Sequence, residues 1–384
     1  MTVPVAVTAE VRMAERFNVG GYIDVTRTEP HTFFPHAEPR PLQFDDPLPD
    51  TTNGRAVEAA RQYMRAYPAN TGMMLIDNGK IIFTAYQGMG GPDREFFSMS
   101  IAKSLTSLAV GQALCNGALK SLDIRAETIV PELAISNFGR STIRQLLMMS
   151  SGAYISATAG QPNFTGGLGI RPKTGKPYPA AAWPMRLSQV TVADLLWGFG
   201  WEKTENKNTS EPGRLFMYKA GDTMSLGKVI ERLTGGSLAA YFDKTVWQKV
   251  RAAKTAHWEA DKDGSTVGAS GFQAHLEDWA RIALWVWKEH RKPGCFGDYL
   301  REATRTQIAN PRLGSGAGSS FDGYGYQWWT DNKYVPGFWG KGYAGQELAI
   351  NPDTGKILLK FGYRNYPGVT GDLYKIYREW NRDK

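Results

Sequence analysis

The sequence predicts an α/β (α+β) fold: an antiparallel sheet flanked by helices, assembled from both ends of the chain and interrupted by an inserted helical lobe. Three observations carry this. Two apolar runs between Met73 and Tyr86 are separated by Asp77-Asn78-Gly79-Lys80, and an Asn-Gly centre is the strongest short-range hairpin signal. Near the other end, Glu347–Ile350 and Ile357–Phe361 flank the turn Pro352-Asp353-Thr354-Gly355. Between the two pairs, helical periodicity dominates to about residue 250. The expected division is an extended arm over residues 1–54, a sheet lobe from 55–115 plus 255–384, and a mostly helical lobe over 116–254.

Each element follows from local chemistry. Six prolines between Pro30 and Pro49 keep the start of the chain extended. Val57, Ala60, Arg61 and Met64 suggest a helix that Pro68 ends. From Ser100 to Leu114 the residues Ile101, Leu105, Leu108, Ala109 and Leu114 fall on one stripe and predict a helix with one buried face. Further helices are expected at Ser141–Met149, Val192–Trp197, Asp222–Leu233, Ser237–Val250 and Asp278–Trp287. Residues 152–190 are rich in Gly, Pro, Ser and Thr and read as a long irregular excursion. Leu373, Ile376, Tyr377 and Trp380 recur at i, i+3, i+4, i+7 and predict an amphipathic final helix.

Composition narrows the function classes. Of the 384 residues 42% are hydrophobic and 21% charged, which excludes a disordered, collagen-like or coiled-coil chain. The net charge of +8 is scattered rather than gathered into a stripe or tail, so a nucleic-acid partner is not expected. No apolar run reaches membrane-spanning length, and no membrane association is expected. Glu10, Arg12, Glu15 and Arg16 interrupt any secretory core near the start, which points to the cytoplasm, or to the periplasm if a leader was removed. Cys115 and Cys295 can form at most one bridge; two buried thiols in a reducing compartment is the preferred reading.

Several chemistries are missing. There is no G-x-S-x-G elbow and no H-E-x-x-H, and Gly169–Lys176 misses phosphate-loop spacing by one residue. His31, His36, His257, His275 and His290 have no partner at ligand spacing, so no metal or other cofactor is expected. What remains is Ser100-Ile101-Ala102-Lys103. Three residues on a helix is about one turn, so hydroxyl and ammonium can touch, and a lysine held partly neutral can activate a serine. At a helix start the unpaired backbone N–H groups and the positive dipole end favour an oxyanion beside the serine.

Six blocks then occur in order: FFSMSIAKSLTSLAVGQAL, ALKSLDIRAETIVPEL, STIRQLLMMSSGAY, PGRLFMYKAGDTMSLGKVIERLTG, GYGYQWW and WGKGYAGQELAINPDTG. Together they resemble the serine β-lactamase and penicillin-binding-protein superfamily. The likeness is greatest to class C β-lactamase-like esterases and amidases of the 6-aminohexanoate-dimer hydrolase type, which cleave linear nylon oligomers. That resemblance implies a β-lactamase/transpeptidase-like fold and a serine hydrolase working through an acyl-enzyme on a small ester or amide, without a cofactor. A homodimer is allowed for.

By the same resemblance, Ser100 is the nucleophile, Lys103 its partner base and Tyr218 the tyrosine of the second motif. A Lys⁺ beside that phenol is expected to lower its pKa. Gly340-Lys341-Gly342 is the counterpart of the third motif, with the backbone N–H of Tyr343 as second oxyanion donor. A rival register uses Tyr343-Ala344-Gly345 and moves the donor to Gln346. Lys173-Thr174-Gly175 spells the usual third motif but precedes Tyr218, and reads as a loop turn. Ala220, where the family commonly has Asn or Ser, and the missing Lys-Thr pair argue against an efficient β-lactamase, although Lys341 remains a candidate to grip a substrate carboxylate. Tyr154 is the expected substrate contact, and Tyr324, Tyr326, Trp328 and Trp329 are candidates for a cleft wall, with core packing as their commoner role. The alternatives are a D-alanyl-D-alanine carboxypeptidase or penicillin-binding enzyme, and a catalytically silent binder of peptide or cell-wall fragments.

Overall fold

The hairpin signal becomes the centre of a large sheet. In the computed structural model, which describes residues 29–153, 192, 210–311, 320–363 and 368–382, strand β3 (Asn70–Asp77) turns through Asn78 and Gly79 into β4 (Lys80–Tyr86). Those two residues have φ of 46° and 90°, the left-handed pair an Asn-Gly turn supplies. The other hydrogen-bonded neighbour of β3 is β13 (Lys356–Gly362), which continues antiparallel through β12 (Gln346–Asn351) to β11 (Phe338–Gly342). With β2 (Gln43–Phe44), β8 (Ile308–Ala309), β9 (Gly323–Tyr324) and β10 (Trp329–Thr330), the order is β2-β4-β3-β13-β12-β11-β10-β9-β8. Only β2 enters parallel, against β4.

Both faces of this sheet are covered, which is why its strands read as continuous apolar runs. Met73 and Leu75 face one core, joined by Trp339, Leu358, and residues of α1 (Thr52–Ala66) and the C-terminal helix, Val369–Arg382. Met74, Ile76, Leu348 and Leu359 face the other, against α2 (Ile101–Cys115). The expectation of a one-faced α2 is overturned: thirteen residues from Ile101 to Ala113 are buried. A helix enclosed on all sides shows little amphipathic periodicity.

Beyond α2 lie α3 (Ile143–Leu147), started by a Thr142/Gln145 capping box, and α4 (Ala220–Thr234), ended by Gly235 at φ 72°. The helix expected over Ser141–Met149 is thus shorter, and of Val192–Trp197 only Val192 is described. A second sheet, β1 (His31–Phe33), β6 (Ala256–Trp258), β7 (Phe272–His275) and β5 (Glu95–Phe97) in the order β1-β6-β7-β5, was not anticipated. Its strands of three or four residues are too short to show an alternation. Two further helices, α5 (Leu276–His290) and α6 (Cys295–Ala303), precede β8, and the C-terminal helix is α7.

The cysteines are joined, which corrects the reading of two free thiols: Cys115 at the end of α2 is bonded to Cys295 at the start of α6, 180 residues apart in sequence. Helix α2 is thereby tied to the element that lies behind it. Closing so long a loop limits the unfolded chain, so a Cys115→Ser/Cys295→Ser variant is expected to lose about 2–5 kcal/mol of stability. Denaturant unfolding of parent and variant under non-reducing conditions measures this.

Candidate active site

Ser100 stands at the turn from β5 into α2, with Ile101 the first helical residue. The chain reaches it through Met99 at φ 43°, a left-handed conformation costing a non-glycine residue roughly 1–2 kcal/mol. Strand β7 holds that bend in place. Ser98 N–H donates to the Phe272 carbonyl at 2.7 Å, and the Ser98 hydroxyl accepts from Phe272 N–H at 3.1 Å.

One helical turn on, Lys103 Nζ lies 3.0 Å from Ser100 Oγ and donates to the Ala269 carbonyl at 2.8 Å. Its side chain is buried, and burial lowers its pKa to about 7. An amine in that range is substantially neutral in ordinary buffers and can accept a proton. Tyr218, two residues before α4, is hydrogen-bonded to Ser100. Its ring stacks on Trp329 with centroids 5.1 Å apart and meets Tyr324 edge-on at 6.1 Å. Lys103 Nζ lies 5.1 Å from the same ring centroid. Burial pushes the Tyr218 phenol up, while the hydrogen bond to Ser100 pulls it down. The expected lowering by Lys103 is therefore reversed, because burial acts on both groups and favours the neutral form of each.

The end of β11 closes on the serine turn, and at Gly342 only glycine permits the approach. A Cβ on Gly340 would lie 3.3 Å from both Ile101 Cγ2 and Ser104 Oγ; one on Gly342 would lie 2.6 Å from the Ser98 carbonyl oxygen. Beyond Gly342 the chain turns through Tyr343, Ala344 at φ 61° and Gly345 at φ 86°. Buried Gln346 donates to the Tyr343 and Gly362 carbonyls at 3.0 and 2.6 Å, and buried Lys360 donates to the Gly345 carbonyl at 2.9 Å. Neither prop was anticipated; the signal was a lysine inside the apolar run Ile357–Phe361. Among the described residues, the N–H groups of Ser100 and Tyr343 donate to no backbone carbonyl.

Lys341 does not face this site. It lies between Gly340 and Gly342, so its side chain emerges on the opposite face of the sheet, 2.6 and 2.7 Å from the Glu347 carboxylate and 2.9 Å from the Tyr374 hydroxyl. Its candidacy to grip a substrate carboxylate is withdrawn for that reason. Tyr324, Tyr326, Trp328 and Trp329 are buried and form core rather than cleft wall, although Tyr324 and Trp329 hold the Tyr218 ring. Tyr343 is 61% exposed at the rim, and Tyr154 lies outside the described residues, as do Lys173-Thr174-Gly175 and Gly169–Lys176. Ala220 begins α4 and is buried. Among the described residues no cluster of three His, Cys, Asp or Glu side chains could hold a metal ion, and no helix is long and apolar enough to cross a membrane.

Removing Lys341 would strand the Glu347 carboxylate. A Lys341→Met variant is expected to lose about 3–5 kcal/mol of stability. The ratio of KM values for a carboxylate-bearing and a neutral ester should stay as in the parent, which steady-state kinetics on the two esters would check.

A 6-aminohexanoate-dimer hydrolase from Paenarthrobacter ureafaciens is 23% identical over 302 residues, covering 76% of this chain and 72% of the relative. A Bacillus anthracis structure assigned as a 6-aminohexanoate-dimer hydrolase superposes with a TM-score of 0.70 at 18% identity, over 98% of this chain and 97% of that one. A D-stereospecific amidohydrolase from a Streptomyces species gives 0.59 at 16% identity, over 84% of this chain and 98% of that one. These likenesses establish a shared fold, and the family model described as Beta-lactamase matches residues 60–376, which include Ser100, Lys103, Tyr218 and the β11 strand. The chain belongs to the Beta-lactamase family and is a serine hydrolase.

Proposed function

We propose that the protein hydrolyses a small ester or amide through an acyl-enzyme on Ser100. The observation that carries the reading is the 3.0 Å contact between Ser100 Oγ and a buried lysine whose pKa lies at about 7. Neutral Lys103 takes the hydroxyl proton as Oγ bonds to the substrate carbonyl carbon. The Tyr218 phenol, hydrogen-bonded to the same serine, gives its proton to the departing amine or alkoxide as the C–N or C–O bond breaks, and recovers one from Lys103. Water then attacks the acyl group, delivers its proton by the same route, and Ser100 is released. The N–H groups of Ser100 and Tyr343 are the oxyanion donors in this reading. The approach of Gly342 to Ser98 supports that register over the one that uses Gln346, a buried residue of β12.

The substrate side favours a linear ester or amide over a β-lactam or a D-alanyl-D-alanine terminus. Lys341 is committed to Glu347, so that strand offers no ammonium for a substrate carboxylate. A small apolar cluster of Phe97, Met99, Ala344 and Tyr363 flanks the serine turn and suits a polymethylene chain such as that of 6-aminohexanoate, the unit named for the relatives above. The Cys115–Cys295 bond favours an oxidising compartment over the cytoplasm.

A fluorophosphonate probe should add to one site, Ser100, by intact mass and peptide mapping, and Ser100→Ala should neither label nor turn over p-nitrophenyl esters. Parental turnover by Ser100→Ala would refute the mechanism, and an unlabelled parent would favour a silent binder. Activity requires neutral Lys103, so kcat/KM should climb about tenfold per pH unit below pH 7 and level off above it. Lys103→Ala should lose roughly 10²–10⁴-fold in kcat.

A further inference from the structure

Gln327 is 1% exposed and holds φ at 67°, a conformation a glycine would adopt without strain. Such a residue persists where its surroundings over-determine it. Here they do. Its side-chain amide donates to the Leu146 and Leu147 carbonyls at 3.1 and 2.8 Å, and its amide oxygen accepts from the Thr223 hydroxyl at 2.7 Å. Its backbone N–H donates to the Leu147 carbonyl at 3.1 Å, and its backbone carbonyl accepts from the Ser104 hydroxyl at 2.7 Å.

The partners are the elements that carry the reaction. Ser104 follows Lys103 on α2; Thr223 is in the first turn of α4, which Tyr218 leads into; Leu146 and Leu147 end α3. Next in the chain, Trp328 packs edge-on against Phe338 of β11 at 5.2 Å, and Trp329 stacks on Tyr218. One buried residue thus fixes α2, α3, α4 and β10 against each other, directly behind the site.

We propose that Gln327 is a positioning residue for the hydrolysis, its amide and backbone setting the spacing of α2 and α4 that keeps Ser100, Lys103 and Tyr218 in hydrogen-bonding reach. This rests on the acyl-enzyme reading above. It is separable from that reading because Gln327 is buried and the hydrogen bonds above join it to Ser104, Leu146, Leu147 and Thr223, not to Ser100.

The test is Gln327→Gly, which deletes the amide and relieves the backbone, compared with Thr223→Val, which removes one tie and leaves Gln327 in place. Gln327→Gly should keep a cooperative melt while kcat and the rate of fluorophosphonate labelling of Ser100 fall roughly tenfold or more, with KM little changed. Thr223→Val should move kcat the same way by less, and the double variant should be no slower than Gln327→Gly, because both act through one contact. Parental labelling and kcat in a folded Gln327→Gly protein would overturn the proposal, as would a loss confined to KM. A parent that the probe does not label would overturn the acyl-enzyme reading, and this inference with it.

Discussion

The structure turns on a lysine taken out of water beside a hydroxyl. Lys103 is buried, and its described partners are the Ser100 hydroxyl and the Ala269 carbonyl. Neither carries a countercharge, so the cost of burying an ammonium appears as a lowered pKa. Enclosure of α2 on every side imposes that environment, which makes the second helical layer and the sheet above it part of the proton chemistry. Other interior lysines are handled in different ways: Lys360 shares the pattern, with the Gly345 carbonyl as partner and burial lowering its pKa to about 8. Lys341 is paired with Glu347 and its pKa is raised, with the Glu347 charge opposing burial. Lys219 lies 3.6 Å from Asp222. The fold thus treats its interior lysines individually, and among the described residues Lys103 and Lys360 have no ion pair, of which only Lys103 lies against a hydroxyl.

Backbone strain collects around the same place. Among the described residues seven non-glycine residues have positive φ, and four of them, Met99, Met149, Gln327 and Ala344, surround Ser100 and Tyr218. Met99 aims the serine, Met149 accepts from Met217 N–H next to Tyr218, Gln327 lies behind both motifs, and Ala344 shapes the turn after β11. Each costs of order 1 kcal/mol or more, and hydrogen bonds at the residue or beside it brace the turn: to Ser98 before Met99, to Met149 and Gln327 themselves, and to Tyr343 and Gly345 on either side of Ala344. A site whose proton donor and acceptor must stay within hydrogen-bonding reach gains from being over-determined in this way.

The sequence carried the parts of the site that are local. Ser100 and Lys103 are one helical turn apart in any helix, the Asn78-Gly79 turn needs only its own two residues, and the order of motifs brought in Tyr218. What depended on burial was out of reach. The direction of the Tyr218 shift follows from Trp329 and Tyr324 closing over its ring, contacts made across more than a hundred residues of chain. The cysteine pairing depends on where α6 lands, and the props Gln346 and Lys360 act through strands that meet only in the folded sheet. Lys341 is a different case. Strand alternation alone puts Lys341 and the glycines beside it on opposite faces, so the pairing of its ammonium away from Ser100 was legible in the period of its own strand.

The direction of the two pKa shifts bears on how the site would lower a barrier. With both groups pushed toward neutrality, the cluster above about pH 7 is an amine, a hydroxyl and a phenol, buried and without net charge. In the proposed mechanism, attack on a carbonyl would create an ammonium on Lys103 and an oxyanion between two backbone N–H groups, so both charges would appear together and close to one another, where a low dielectric strengthens their attraction. A resting ammonium–phenolate pair would already have those charges in the ground state, and the same attraction would be spread over substrate-free and reacting enzyme alike. Interactions accelerate a step only to the extent that they strengthen in its transition state. Burial without a countercharge, which weakens Lys103 as a resting cation, is therefore the arrangement that reserves its electrostatic contribution for the moment of attack.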